Sequence, residues 1–332
     1  MRMKGLAALC ALAGASLLLG GCPKPEGGEA GAPSGGGESR KFRIAVMPKG
    51  TAHSFWQAVK AGAEAAAKEE GAEVIWQGPA DESQITEQIN LVQAQITSGV
   101  DGIVLAATDA EALLKPVAEA KTKGIPVVTI DSGLKDPEAS LCYIATDNVE
   151  GGRKAARALA EAIGGKGKVG LLIFQKGAKS SDDREAGFLE GLKEFPNIQL
   201  VSTLEANDPK KAADQADNML TAHPNIAGIF AANEPNGVGA ANALRQKKLA
   251  GKVKLIAYDA SPEQLKSLEE GVTQGLIVQN PFQMGYLGVK TVMKAIRKQP
   301  ITEKTVDSGM TVVTRENLKT PEVQKLLNPT GG

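Results

Sequence analysis

Five apolar runs in this chain end abruptly in a polar side chain. Gly102–Ala106 leads to Thr108 and Asp109, Val127–Ile130 to Asp131, Ile229–Ala232 to Asn233, Leu255–Tyr258 to Asp259, and Leu276–Val278 to Gln279. Such runs read as buried parallel strands, each with its polar residue where the strand leaves the sheet. In open α/β sheets ligands bind just beyond the carboxyl ends of the strands. Asp, Asn and Gln collected there describe a polar binding cleft. Any one of them alone could be turn or capping chemistry, which Asp and Asn favour at such places. Four together, Asp131, Asn233, Asp259 and Gln279, favour a ligand. An α/β enzyme is the competing reading, with Asp131 and Asp259 imitating an acid/base couple. No P-loop, no G-x-S-x-G and no His/Cys cluster accompanies them, so the pattern points to recognition without turnover.

The elements that must position these residues alternate strand and helix. Arg43–Met47 is the first strand. Ser54 reads as the cap of a helix, with Gln57 completing a capping box and Gly71 as its stop. Val74–Trp76 is the next strand, and Ser83 reads as the cap of a helix whose Ile85, Ile89, Val92 and Ile96 follow a 3.6 period. A helix over 110–123 ends at Gly124 before Pro126. The second half repeats the plan. Helices are predicted over 148–163, 183–194, 236–248 and 282–298, and strands over 168–174 and 199–202. Asp208-Pro209 and Pro262 open two more helices. Residues 306–314 form a last extended segment. This βαβα alternation implies parallel sheets with right-handed crossovers. Two such halves of roughly 110–130 residues imply two doubly wound domains, with a cleft between them that collects strand ends from both.

Bulk composition agrees. The 332 residues are 42% hydrophobic and 23% charged, and 38 basic residues balance 38 acidic ones, so no overall basic field draws the chain to nucleic acid. Three cysteines and two histidines supply neither a disulfide framework nor a zinc spacing, so no metal and no cofactor is expected. Arg2 and Lys4, followed by the apolar stretch Leu6–Leu19, read as a secretory signal over 1–22. Residues 23–40 are rich in Gly, Pro, Glu and Ser and read as a disordered tether.

With these residues in place, the chain resembles the type I periplasmic binding proteins, the sugar-binding group that includes ribose- and galactose-binding proteins. The resemblance covers 42–314. It rests on the order and spacing of several blocks: His53-Ser54-Phe55-Trp56, Ile130-Asp131, Ala145-Thr146-Asp147-Asn148 before Gly151-Gly152, Arg184 before Gly187-Phe188, Leu220-Thr221-Ala222-His223-Pro224, Phe230-Ala231-Ala232-Asn233, Tyr258-Asp259, and Gln279 before Gly285. Leu19-Gly20-Gly21-Cys22 resembles the lipobox of bacterial lipoproteins, which would make Cys22 a lipidated first residue.

The resemblance implies a fold of two α/β lobes joined by a three-crossing hinge. The first lobe would be 41–146 plus 281–304, and the second 147–280 plus 305–328. It implies a monomeric solute-binding lipoprotein, in the periplasm or at the cell surface, that delivers a monosaccharide or polyol to an ABC permease. A sensor handing the same ligand signal to a membrane receptor is the alternative. The implied ligand residues are Asp131, Asn233, Asp259 and Gln279 for hydroxyls, Trp56 foremost and Phe55 for stacking, with His53, Asp182, Arg184 and Asn207 as further contacts. Asp182, Ala106 and Asn207 stand where ribose-binding proteins carry Arg, Asn and an aromatic residue. Those departures imply a ligand other than ribose.

Overall fold

The computed structural model describes residues 40–329. The expected signal segment, most of the tether and Cys22 lie outside them. The chain runs β1 (Arg43–Met47), α1 (Ser54–Glu70), β2 (Glu73–Trp76), α2 (Ile85–Thr97), β3 (Gly102–Leu105), α3 (Leu114–Thr122), β4 (Val127–Ile130) and β5 (Tyr143–Ala145). It continues α4 (Asn148–Ala162), β6 (Gly167–Ile173), α5 (Lys179–Leu192), β7 (Ile198–Glu205), α6 (Pro209–Ala222), β8 (Ile226–Ala231), α7 (Glu234–Gln246), β9 (Lys254–Tyr258) and α8 (Pro262–Glu269). The last elements are β10 (Gly275–Gln279), α9 (Pro281–Ile296), β11 (Thr305–Asp307), β12 (Met310–Val313) and α10 (Pro321–Leu327).

These strands form two six-stranded sheets, ordered β11-β5-β4-β3-β1-β2 and β12-β10-β9-β8-β6-β7. Each starts from a central strand, places the next strand to one side and the following ones to the other. The order therefore reverses beside β1 in one lobe and beside β6 in the other, and a crevice opens at such a switch point. Buried apolar clusters cover both faces of each sheet. β3, β4 and β10 are buried along their whole length, as two-sided parallel strands require.

The chain passes between lobes at 146–147, at Asn280 and at Ser308–Gly309. The expected boundary at 304/305 would put β11 in the second lobe. Its parallel pairing with β5, Val306 opposite Ile144, puts it in the first. β12 then enters the second sheet antiparallel to β10. No crossover helix separates β11 from β12, so β12 can only enter from the hinge side, which departs from the all-parallel expectation. Gly309, at φ 84°, makes this short reversal possible.

Local chemistry corrects several expected boundaries. His53, not Ser54, occupies the cap position of α1, and Gln57 donates to the Thr51 carbonyl in place of closing a capping box. Ser83 bonds Asp81 and α2 starts behind Gln84. Asp109 Oδ1 accepts from the Glu111 and Ala112 amides, holding 110–113 in turns and delaying α3. The expected Asp208 cap forms, accepting from Lys211 N, and the helix opened by Pro262 gains a full capping box from Ser261 and Gln264 that was not anticipated.

Two helix pairs pack backbone to backbone. A Cβ on Gly62 or Gly285 would overlap carbonyl oxygens across α1 and α9, and one on Gly152 or Gly187 would do so across α4 and α5. The α4–α5 contact carries Arg184 into the cleft. Gly187→Ala should therefore destabilise the protein by about 1–3 kcal/mol, read as a lowered urea midpoint. An unchanged midpoint would show that the helices can separate without loss.

Candidate functional site between the lobes

The site begins with two backbone anomalies. Asp131 and Asp259 each follow a buried strand, β4 and β9, and each has a left-handed backbone, φ 55° and φ 72°. Each amide donates to the neighbouring strand, Asp131 N to Ile144 O at 3.0 Å and Asp259 N to Ile277 O at 2.9 Å. Non-glycine residues rarely hold this conformation, and those that do cluster at functional sites. The two lobes present the same device to one cavity.

In the first lobe, Lys49 follows β1 and is 5% exposed. Its Nζ lies 3.1 Å from Asp131 Oδ2 and 3.6 Å from Glu82 Oε2. Glu82 Oε1 accepts from Trp56 Nε1 at 2.6 Å and lies 3.3 Å from His53 Nδ1. Burial pushes the Lys49 ammonium toward neutrality, but Asp131 and Glu82 outweigh it and hold its pKa above the ordinary lysine value. Burial likewise opposes the Glu82 charge, yet Lys49, His53 and Trp56 bring its pKa down to about 2. His53 is raised: burial works against protonation and the Glu82 carboxylate prevails. Gln88, fully buried, donates to the carbonyls of Pro48 and Ala106 and accepts from Thr108. It thereby pins the loops after β1 and β3 together, and with them Lys49.

In the second lobe, Arg184 is buried, its Nε donating to Asn148 Oδ1 and one terminal nitrogen to Ala232 O, both at 2.8 Å. Its guanidinium lies 3.8 Å from the centre of the Tyr258 ring. Asn233 caps α7, its Oδ1 accepting from Asn236 N at 3.1 Å. Asp259 accepts from Glu234 N at 2.9 Å and from Gln279 Nε2 at 2.7 Å. Burial raises the Asp259 pKa against the pull of Arg184, and burial together with Asp259 raises that of Glu234.

The lobes touch. Glu234 of α7 accepts from the Ser54 and Phe55 amides at 3.3 and 3.2 Å, so a carboxylate of one lobe caps the α1 N-terminus of the other. Lys49 Nζ donates to Ser180 Oγ at 3.1 Å, and Ser180 N donates to Ser132 Oγ at 3.3 Å. The cavity enclosed between them measures about 20 Å³ in this structure.

Of the residues predicted from sequence, His53, Phe55, Trp56, Asp131, Arg184, Asn233, Asp259 and Gln279 all line this cavity. Trp56, expected to be the foremost stacking ring, is 1% exposed and belongs to the core of the first lobe. Phe55 is only half-buried and meets Trp56 edge-on at 4.9 Å between ring centres, so it offers the freer face. Asp182 and Asn207 are not brought to the cavity. Asp182 accepts from Gly177 N at the rim of a separate groove, because two residue steps, about 200° around α5, turn it away from Arg184. Asn207 is half-buried beyond β7, the edge strand of its sheet, outside the cavity lining.

Sequence reasoning missed Lys49, Glu82, Phe174, Ser180 and Glu234, which also line it. Phe174 follows β6 directly and Lys49 lies two residues past β1, so the strand-end argument applied to β1 would have found Lys49, while Glu234 opens α7 just after Asn233. Glu82 and Ser180 sit on loops and helix starts that carry no such signal. Among the described residues no group of three or more His, Cys, Asp or Glu could hold a metal ion, and no helix is long and apolar enough to cross a membrane.

Residues 44–300 match the model of the periplasmic binding protein domain. The chain belongs to this family. It is 32% identical over 259 residues to the D-allose-binding periplasmic protein of Escherichia coli, spanning 76% of this chain and 83% of that one. A carbohydrate transporter solute-binding protein from Agrobacterium radiobacter, solved with D-arabinose, superposes with a TM-score of 0.84 at 34% identity, over 87% of this chain and 99% of that one. An ABC transporter solute-binding protein from Agrobacterium vitis, bound to α-D-tagatopyranose, gives 0.83 at 35% identity over 86% and 99%. These family relatives are binding proteins, and this chain, like them, is no enzyme.

The opposed carboxylates set a pH dependence. Glu82, at about 2 when folded against an ordinary 4.5, contributes stability in full above 4.5 and loses it as pH falls toward 2. Glu234, raised by burial, acts in the opposite sense: the fold weakens as pH rises through its folded value. Urea unfolding followed from about pH 2 to 7 should show an acid limb that Glu82→Gln flattens below 4.5 and Glu234→Gln leaves in place. An acid limb unchanged in Glu82→Gln would place the charge elsewhere.

Proposed function

We propose that this protein captures a monosaccharide or related polyol outside the cytoplasm and delivers it to an ABC importer. The observation that carries this is the buried polar cavity to which both lobes contribute. Gln279 Oε1 is buried there without a hydrogen-bond partner, and the Asp131 carboxylate, held by Lys49, faces the same space. Unpaired buried polar atoms cost roughly 1–3 kcal/mol each, and ligand hydroxyls would relieve that cost. Carboxylates and amides each engage adjacent hydroxyls, while the Phe55 face suits an apolar patch of sugar C–H bonds. The sugars in the related structures support this reading, and the import proteins among the relatives weigh toward transport over sensing.

The reading gives roles to residues. Asp131 and Lys49 of the first lobe and Asn233, Asp259, Gln279 and Arg184 of the second hold hydroxyls. Phe55 stacks, with Trp56 behind it. Ligand touches both sets only when the lobes are together, so binding shifts the population toward closure, which the permease reads. The protein acts as a monomer. Cys22 carries a lipid, and 23–40 tether the body to a membrane, placing it in the periplasm or at the cell surface.

A thermal-shift panel of pentoses, hexoses and polyols on the mature chain should find a stabilising ligand. One present at about 100 times Kd adds roughly 2.7 kcal/mol. Asp131→Asn and Gln279→Ala should each weaken that ligand by roughly tenfold or more, measured calorimetrically, since hydrogen bonds to charged groups are worth about 1.5–3 kcal/mol and neutral ones somewhat less. A panel with no shift would sink the sugar reading. For the anchor, Cys22→Ala should move the expressed protein from the membrane to the soluble fraction and abolish labelling by a radiolabelled fatty acid.

A further inference from the structure

Two helices that border the cavity lack a side-chain cap of their own. α1 follows His53, whose side chain makes no capping hydrogen bond, and its first turn holds no acidic residue. α5 follows Ala178, which has no side-chain acceptor, and Asp182 in its first turn bonds back to Gly177 N. Helix starts leave several amides without intrahelical partners, and those amides need acceptors. In both helices an acceptor comes from the opposite lobe. Glu234 takes the Ser54 and Phe55 amides of α1 at 3.3 and 3.2 Å. Ser132 Oγ of the first lobe takes the Ser180 amide of α5 at 3.3 Å. Each lobe therefore supplies a cap that the other is missing. Both side chains are fixed for this task. Glu234 is the first residue of α7, its own amide tied to Asp259. Ser132 is fully buried and follows Asp131 in the turn after β4.

We propose that Glu234 and Ser132 are positioning residues that hold the lobes together by capping helices across the cleft, and that they set the closed population with no ligand taking part. The first cap has an electrostatic reason. α1 and α7 meet at their N-termini, and both ends carry positive partial charge. Closing the lobes brings these like-signed ends together, and a carboxylate between them offsets the repulsion. Burial and Asp259 oppose the Glu234 charge, while His53 and the two α1 amides favour it. When the lobes part, Glu234 loses α1, and the Ser54 and Phe55 amides turn to water. The second cap stands with two further cross-lobe bonds, Lys49 Nζ to Ser180 Oγ at 3.1 Å and Ala110 N to Gly177 O at 2.9 Å. The two caps share no residue. What they have in common is the approach of the lobes, so losing either one should loosen the other. Affinity for any ligand that binds the closed form rises with the share of closed molecules. Glu234 and Ser132 thus tune binding from outside the set that holds hydroxyls.

Amide hydrogen exchange, read by NMR on the mature chain without sugar, tests this. Glu234→Ala should speed exchange at Ser180 N, to which Glu234 makes no hydrogen bond. Ser132→Ala should speed exchange at Ser54 N and Phe55 N. Each acceleration should be roughly two- to thirtyfold, the factor to which a lost helix cap corresponds. Amides of β4 and β9 should keep their protection, showing that each lobe stays folded. A cap that serves only its own helix would move only the amides it binds, and that result overturns the proposal. Acceleration that extends equally to β4 and β9 is general destabilisation and overturns it too. If Glu234→Ala fails to fold, Glu234→Gln and Ser132→Ala carry the same comparison. No sugar enters the measurement. A sugar panel without a hit therefore leaves this result standing, and a failure here leaves the sugar reading intact.

Discussion

One buried ammonium organises the cleft. Lys49 stands between Asp131 and Glu82 in a nearly dry pocket, with the rings of Trp56 and Phe174 within 6 Å. Remove its charge and two carboxylates face each other with only His53 and, from the other lobe, Arg184 to offset them. Buried ion pairs gain little net stability over apolar replacements, but breaking one by deleting a partner is severe. The value of Lys49 is therefore geometric. It fixes the carboxylate of Asp131, holds Glu82 where it anchors the Trp56 indole, and reaches across to Ser180 of the other lobe. Gln88 in turn fixes the loop that carries Lys49, so positioning runs inward from the core of the first lobe to the cavity.

The second lobe solves the same problem with a different cation. Arg184 lies against Tyr258 and is held by Asn148 and the Ala232 carbonyl. A planar guanidinium suits that fixed arrangement better than a flexible ammonium. Asp131 and Asp259 mirror each other in backbone conformation, yet one is paired with Lys49 and the other is tied to Gln279 and the Glu234 amide. The cavity between them has the Lys49 ion pairs on one side and the hydrogen bonds of Asp259 on the other. The capping of α1 by Glu234 adds a direct link between lobes that does not depend on ligand.

Much of this was legible in the sequence, and the reasons differ by element. Strands such as β3, β4, β8, β9 and β10 announce themselves as apolar runs because both faces are buried. Their polar ends point to Asp131, Asn233, Asp259 and Gln279. β5 was not anticipated, because three residues flanked by Cys142 and Thr146 carry no periodicity of their own and owe their conformation to β4 and β11. Asp182 and Asn207 were placed by resemblance without a geometric reason, and geometry sends them elsewhere. Lys49 lay just past the end of β1, where the strand-end argument could have found it, but Glu82 was invisible for another reason. A glutamate in a loop looks like solvated surface, and only the meeting of distant loops buries it against Lys49.

The route of the chain through the hinge has a consequence for how the molecule is made. The helix α9 leaves the second sheet yet packs on α1, more than 200 residues earlier in the chain. The edge strand β11 likewise completes a sheet whose other strands end at Ala145. A chain emerging from its N-terminus can assemble most of the second lobe while the first still lacks a covering helix and its outer strand. The apolar face of the first sheet that faces α9 stays bare through that interval, and contacts of such long sequence separation form late. The lobe that begins the chain therefore stays open until most of the second has been made, and only β12 and α10 of the second lobe follow its closure.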